Sequence, residues 1–175
     1  MYPDRAMLLG ALVYLVFFTL FPIALAEWWT VEWDATEFTA MSGDMIVPDV
    51  PNPPGTPTGT WWIGDGYYGT PSPPWGAGFN AYPGNTVHFE FAVDSSGNWT
   101  CTLSGPSFAQ TILSLPGLTM NRAILAVELY DVDFNFGPVI YRNVTITATT
   151  AASDWCGTTG SLGYTSGVNF SLNPN

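Results

Sequence analysis

Beyond residue 27, apolar positions along the chain recur at every second residue rather than at every third or fourth. Residues 86–93 put Val87, Phe89, Phe91 and Val93 on one face and Thr86, His88, Glu90 and Ala92 on the other. That is the signature of a half-buried β-strand. Asp94-Ser95-Ser96-Gly97 reads as a turn, with residues 99–103 returning as the hairpin partner. Residues 123–129 alternate Leu125, Val127 and Leu129 against Ile124, Ala126 and Glu128, with Tyr130 continuing the second face. Residues 139–147 are rich in β-branched side chains. Residues 36–47, 60–63 and 167–172 are further expected strands. Proline cannot donate to a ladder, so 48–57 and 71–74 are expected as loops or edge segments. No repeat and no second domain is apparent. Seven or more short strands predict an all-β, two-sheet antiparallel β-sandwich.

The first 26 residues follow a different pattern. Arg5 precedes an uncharged run from Ala6 to Ala26, with an apolar stretch from Met7 to Phe21, then Pro22 and Ala24-Leu25-Ala26. The run is long enough to span a bilayer as an anchor. The proline break and the small residues two apart favour instead a signal peptide, 1–26, cleaved before Glu27. The mature chain, 27–175, is then a single domain, secreted to the extracellular space, with no stable membrane association and expected as a monomer. Secretion predicts that Cys101 and Cys156 pair. Closing that loop of about 55 residues would contribute about 4 kcal/mol. A nucleophilic Cys with His88 is the alternative, and no other residue supports it. Three N-glycosylation sequons begin at Asn98, Asn143 and Asn169.

Charge narrows the partners. There are 14 acidic residues against 3 basic ones, all Arg, for a net charge of −11. A nucleic-acid backbone needs a basic face, so no nucleic acid is expected as a partner, and anionic lipid is disfavoured for the same reason. With 10% charged and 47% hydrophobic residues, the chain is not a disordered acidic tail. No Cys/His cluster is present, so neither a metal nor a cofactor is expected. A Ser-His-Asp triad would have to use His88, which sits mid-strand and reads as an ordinary strand residue. Asp131, Asp133, Asn135 and Gly137 have an oxygen-rich spacing, but the glycine falls one place late for a calcium loop, so a polar turn is expected. Glu128, Asp131 and Asp133 miss the i, i+2, i+4 spacing of laminarinase-type glycosidases, because Glu128 would face away from the two aspartates.

A family resemblance is carried by longer segments. Trp28 to Val47-Pro48 runs without a gap, followed by Gly59-Thr60-Trp61-Trp62-Ile63-Gly64, Gly78-Phe79, Gly84-Asn85-Thr86-Val87, and Asn121 to Glu128. Together with residues 136–147 these resemble the eqolisins, fungal glutamic endopeptidases. The resemblance implies a concanavalin-A-like sandwich and an acid endopeptidase. In that family a Glu serves as general acid and base on the attacking water, and a Gln amide steadies the oxyanion. The Glu carries over to Glu128. The Gln does not: where the family has Gln-x-Gly-Phe, this chain has Gly76-Ala77-Gly78-Phe79, and its one glutamine is Gln110. The family's aromatic and acidic strand between these regions is also missing, and Trp28 follows the leader without room for the family's propeptide.

The aromatic residues define a rival expectation. Trp28, Trp62 and Trp75, with Tyr67 and Tyr68, are expected to line the same groove, where their faces suit sugar rings or an extended peptide. Trp28 and Trp62 match groove positions of the family, and Trp75 neighbours the lost Gln. The sequence therefore supports two expectations, an acid peptidase relative acting on polypeptide through Glu128 and a non-catalytic sandwich binding glycan or peptide.

Overall fold

A computed structural model describes residues 26–50, 59–67, 69, 74–130, 134–150, 154–157 and 160–162. The strands are β1 (Ala26–Asp34), β2 (Phe38–Ile46), β3 (Trp61–Gly64), β4 (Gly78–Ala81), β5 (Thr86–Val93), β6 (Asn98–Ser104), β7 (Phe108–Ser114), β8 (Arg122–Tyr130), β9 (Ile140–Ala148) and β10 (Gly160–Leu162). A short 3-10 helix, Asp154–Gly157, precedes β10.

One layer is an antiparallel sheet in the order β7-β6-β5-β2-β9. Facing it are a three-stranded sheet, β10-β1-β8, and the two-stranded β3-β4 pair. Period-two alternation builds the core between them. Val87 and Phe89 of β5, Leu103 of β6 and Ala109 of β7 meet Trp33 of β1, Ala123 of β8, and Phe79 and Ala81 of β4 in one buried cluster. Burying a Val, Leu or Phe side chain contributes about 1.5–3 kcal/mol, so this seam holds the layers together. Gly43 shows how closely it packs. A Cβ there would lie 2.8 Å from the tip of the Phe89 ring, so the ring takes space that any other residue at 43 would need. The aromatic rings of Trp29 and Trp61 both pack edge-on against buried Phe136, at 5.2 and 5.9 Å between centroids. This joins β1 to β3 under the smaller sheets.

The all-β two-layer expectation matches the structure. The alternating segments at 86–93, 99–103, 123–129 and 139–147 appear as β5, β6, β8 and β9 with shifts of a residue or so at their ends. Strands β1, β4, β7 and β10 were not anticipated from the pattern. The expected strand at 167–172 lies outside the described residues, as does the expected signal peptide except for Ala26, the first residue of β1. Most of the first proline-rich segment and 71–73 of the second lie outside them too.

The expected disulfide is corrected. Cys101 and Cys156 are free thiols. Cys101 points inward from β6 and is buried against Asp65, while Cys156 sits half-exposed on the 3-10 helix. The thiols were matched by count and compartment, and neither criterion fixes the distance between two Cβ atoms.

Candidate functional site

The β3-β4 hairpin turns opposite faces to core and solvent. Trp61 and Ile63 point inward with their register partners Ala81 and Phe79; Trp62 and Gly64 point outward with Asn80 and Gly78. The outward face is paved with aromatic surface. The Trp62 ring covers Gly64 and Gly78 so closely that a Cβ on either glycine would overlap it, and the Trp75 ring covers Gly66 in the same way. Bare glycines let both rings lie flat, and both keep an open face: Trp62 is 53% exposed and Trp75 60%. Gly64 and Gly66 are two residues apart, about 7 Å in extended chain. The rings thus cover glycines that lie close together along the chain, and this exposed aromatic surface is termed the ledge.

Beneath the ledge, the same alternation carries one residue too far for an apolar side chain. Asp65 follows Trp61 and Ile63 onto the inner face and is only 3% exposed. Its Oδ1 accepts the Thr111 hydroxyl at 3.2 Å, and Thr111 Oγ1 in turn accepts the Ala77 amide at 2.7 Å. The Gly76 amide donates to the Asp65 carbonyl at 2.9 Å. Oδ2 is buried without a hydrogen-bond partner. Burial pushes the Asp65 carboxyl up from the ordinary aspartate range against the opposing pull of Thr111 and the Cys101 thiol. Burial and the adjacent Asp65 push the Cys101 thiol up to about 12. That thiol is inert as a nucleophile at any physiological pH.

Gly76 is therefore more than a missing glutamine. A Cβ at 76 would overlap Asp65 Oδ2 and fall 2.7 Å from both Asp65 Cγ and Thr111 Oγ1. The carboxyl group occupies the space into which a side chain at 76 would start.

Glu128 lies elsewhere. On β8 it alternates with buried Ala123 and Leu129, which places it on the outer face, half-buried, opposite Trp28 of β1. It is engaged by a neighbouring group rather than free. The backbone of Trp28 is described and its side chain is not. No hydrogen-bonded register among the described residues joins β8 to β3 or β4, so the structure does not bring Glu128 and Gly76 together on paired strands. Trp62 and Trp75 are both exposed, each lying over glycine. Tyr67 instead lines an apolar cavity of about 180 Å³ with Cys101, Met41 and Phe91, and Tyr68 lies outside the described residues.

The remaining candidates find structural roles. His88 stands mid-strand as expected, half-exposed, with Nδ1 2.8 Å from Asp44 Oδ1 across β5-β2. Asp44 Oδ2 accepts Asn143 Nδ2 at 2.9 Å, and Asn143 adopts φ 54° where the β2-β9 register shifts. Hydrogen bonds from Asn143 and then His88 hold the Asp44 carboxyl below the ordinary range. At the sequon beginning at Asn98, the side chain donates to Asp94 Oδ2 at 3.1 Å within the β5-β6 turn. Asn169 lies outside the described residues. Of the calcium-like spacing, Asn135 accepts the Gly137 amide at 2.8 Å in a local turn, while Asp131 and Asp133 lie outside the described residues. No cluster of metal-ligating side chains occurs among the described residues.

Asp65 and Thr111 were not singled out from the sequence. An aspartate between two glycines reads as a surface turn. The one signal available was phase, since position 65 continues the inward set begun by Trp61 and Ile63. Comparison of the chain with family models, curated proteins and solved structures gives no significant match.

Proposed function

We propose that this chain is a secreted, glutamic-peptidase-like sandwich of concanavalin-A-like type that binds an extended glycan and does not cut peptide bonds. One observation carries the reading: the Asp65 carboxyl fills the place of a side chain at 76. The resemblance puts the oxyanion amide there, and losing one such donor costs about 10² to 10³ in rate. Restoring it by substitution meets the carboxyl group directly. What supports binding is the ledge. Two tryptophan rings lie flat on glycines with open faces, and a flat aromatic face stacks on the apolar face of a sugar ring. The net charge of −11 favours a neutral partner over an acidic one.

The second reading, an acid endopeptidase acting on polypeptide through Glu128, keeps one supporting observation. Glu128 is half-buried on the outer face of β8, opposite Trp28, where the resemblance places its general acid and base.

Mature protein and its Glu128→Gln variant are incubated with denatured casein at about pH 2 to 4. Neither is expected to cleave it; cleavage by the wild type that the variant lacks would establish the endopeptidase reading instead. In parallel, linear oligosaccharides of β-linked glucose and of β-linked N-acetylglucosamine are titrated. Trp62→Ala and Trp75→Ala are each expected to weaken binding about three- to tenfold. Equal affinities in all three proteins, or no binding, would end the glycan reading.

A further inference from the structure

We propose that Asp65 is a proton-operated latch: its protonated carboxyl holds residues 76–77 against β7 beneath the tryptophan ledge, and loss of the proton releases them. The latch follows from hydrogen-bond accounting at one place. Two strand-entry amides, those of Gly76 and Ala77, are both committed to this corner, one to the Asp65 carbonyl and one to Thr111 Oγ1. Thr111 has a single hydroxyl proton, and it goes to Asp65 Oδ1. Beyond Thr111, the carboxyl feels only the weak thiol donor of Cys101 and its own residue's amide, and Oδ2 is buried with no hydrogen-bond partner.

A neutral carboxylic acid tolerates that site, because its own proton sits on one of the oxygens. A carboxylate does not, because an ionised oxygen without donors in a dry site carries a large desolvation cost. The surrounding groups offer little relief. From β6 the facing titratable group is the Cys101 thiol, itself pushed up to about 12 and so neutral. From β7 the facing group is Thr111, which does not titrate. The main chain of 76 and 77 brings no charge. Among the described residues, no Arg or His forms an ion pair with Asp65.

The cheapest response to ionisation is to let water reach Oδ2. The structure holds what that motion needs. Gly64 and Gly66 flank the aspartate in the chain and Gly76 lies against its carboxyl, while the Trp62 ring covers Gly64 and the Trp75 ring covers Gly66. Moving Gly76-Ala77 away from Thr111 exposes the carboxylate and also shifts Trp75, the preceding residue, on its seat at Gly66. The direction follows from linkage. The folded-state value lies above the unfolded one. The stabilising contribution is therefore complete below the ordinary aspartate value, and it is lost as pH rises through the raised folded value. The latch is closed in acid and open toward neutrality. The latch itself stands on this geometry alone. Its consequence, that glycan affinity falls as pH rises, rests on the binding reading above.

Tryptophan fluorescence and thermal unfolding of the mature chain are followed from about pH 3 to pH 7 for wild type, Asp65→Asn and Trp75→Phe. The wild type is expected to show a fluorescence transition centred above the ordinary aspartate value, together with a falling Tm. Asp65→Asn, isosteric and neutral, is expected to lose the transition and hold its Tm across the range. Trp75→Phe is expected to keep the Tm trend with a smaller fluorescence change. An unchanged transition in Asp65→Asn overturns the latch. If that variant does not fold, the infrared C=O stretch of the wild type decides. A protonated carboxyl that persists above the ordinary carboxylate range in the wild type supports the latch, and its absence there overturns it. Oligosaccharide titration at both ends of the range separates the two ideas. Absence of binding at every pH with the fluorescence transition intact removes the glycan reading and leaves the latch standing.

Discussion

Asp44 lies on the outer face of the five-stranded sheet, with a donor for each oxygen: His88 Nδ1 for Oδ1 and Asn143 Nδ2 for Oδ2. Asp65 lies under the β3-β4 hairpin with a donor for Oδ1 and none for Oδ2. Both aspartates are reached through strand register, and both touch a neighbouring strand. Their carboxyl groups move in opposite directions, Asp44 down and Asp65 up. The difference teaches that the number of donors and access to water, rather than residue type, set whether a carboxylate supports this fold. Asp44 stabilises above the ordinary aspartate value and loses that contribution as pH falls through its lowered one. Asp65 does the reverse, stabilising in acid and losing its contribution as pH rises. Asp34, held low by its hydrogen bonds to Arg122, and Asp94, held low by the amide of Asn98, act on Asp44's side. Among these four groups, all contribute together only between the lowered values of Asp34, Asp44 and Asp94 and the raised value of Asp65.

The sharpest way to break the comparison is to crowd Asp65. Gly76→Gln is expected to lose about 1–3 kcal/mol by overpacking, read as a lowered midpoint in urea unfolding, and to gain no peptidase activity on casein. Stability retained together with acquired cleavage would mean that the position-76 space is open after all. Next in size is Thr111→Val. It takes the donor from Asp65 Oδ1 and the acceptor from the Ala77 amide, for an expected loss of about 1–3 kcal/mol. The loss should be greater in acid, where the latch is closed, than near neutrality, where Ala77 has already left Thr111 and water reaches the carboxylate. A loss independent of pH would show that Thr111 acts through packing. The smallest effect is expected at the exposed site. Asp44→Asn should lower Tm slightly near neutral pH, and the difference should shrink as pH falls through the lowered value of Asp44. A pH profile of Tm for this variant that parallels that of Asp65→Asn would erase the contrast between the two sites.

Much of this architecture was legible in the chain, and the illegible parts have physical reasons. The alternation of Val87, Phe89 and Phe91 marks β5 plainly, as Leu125 and Leu129 mark β8. β7 hides because Phe108 and Ile112 lie on its outer face while Ala109 and Leu113 lie on its inner one, so apolar residues fall on both phases. β1 sends Trp29, Val31 and Trp33 toward the core, but Trp28 beside them blurs the period. β4 is four residues long and opens on glycine. At the site, exposure of Trp62 and Trp75 was anticipated, and so was the gap at Gly76. What filled the gap was not, because the distance between residues 65 and 76 is a property of the hairpin and not of either residue. The expected cysteine pairing failed for the same reason.

The unanticipated strand β7 has a further consequence. Among the described residues it forms one edge of the five-stranded sheet, it carries no charged residue, and it exposes Phe108 and Ile112. The opposite edge, β9, is guarded by Arg142, by the irregular register and by Asn143 in a left-handed conformation. Near neutrality, repulsion between strongly acidic copies keeps the bare edges apart. The sequence isoelectric point is about 4.1, so this repulsion fades in acid, the side on which the Asp65 carboxyl contributes to the fold. Acid therefore lowers the charge barrier at the β7 edge under the same conditions that close the corner at Asp65.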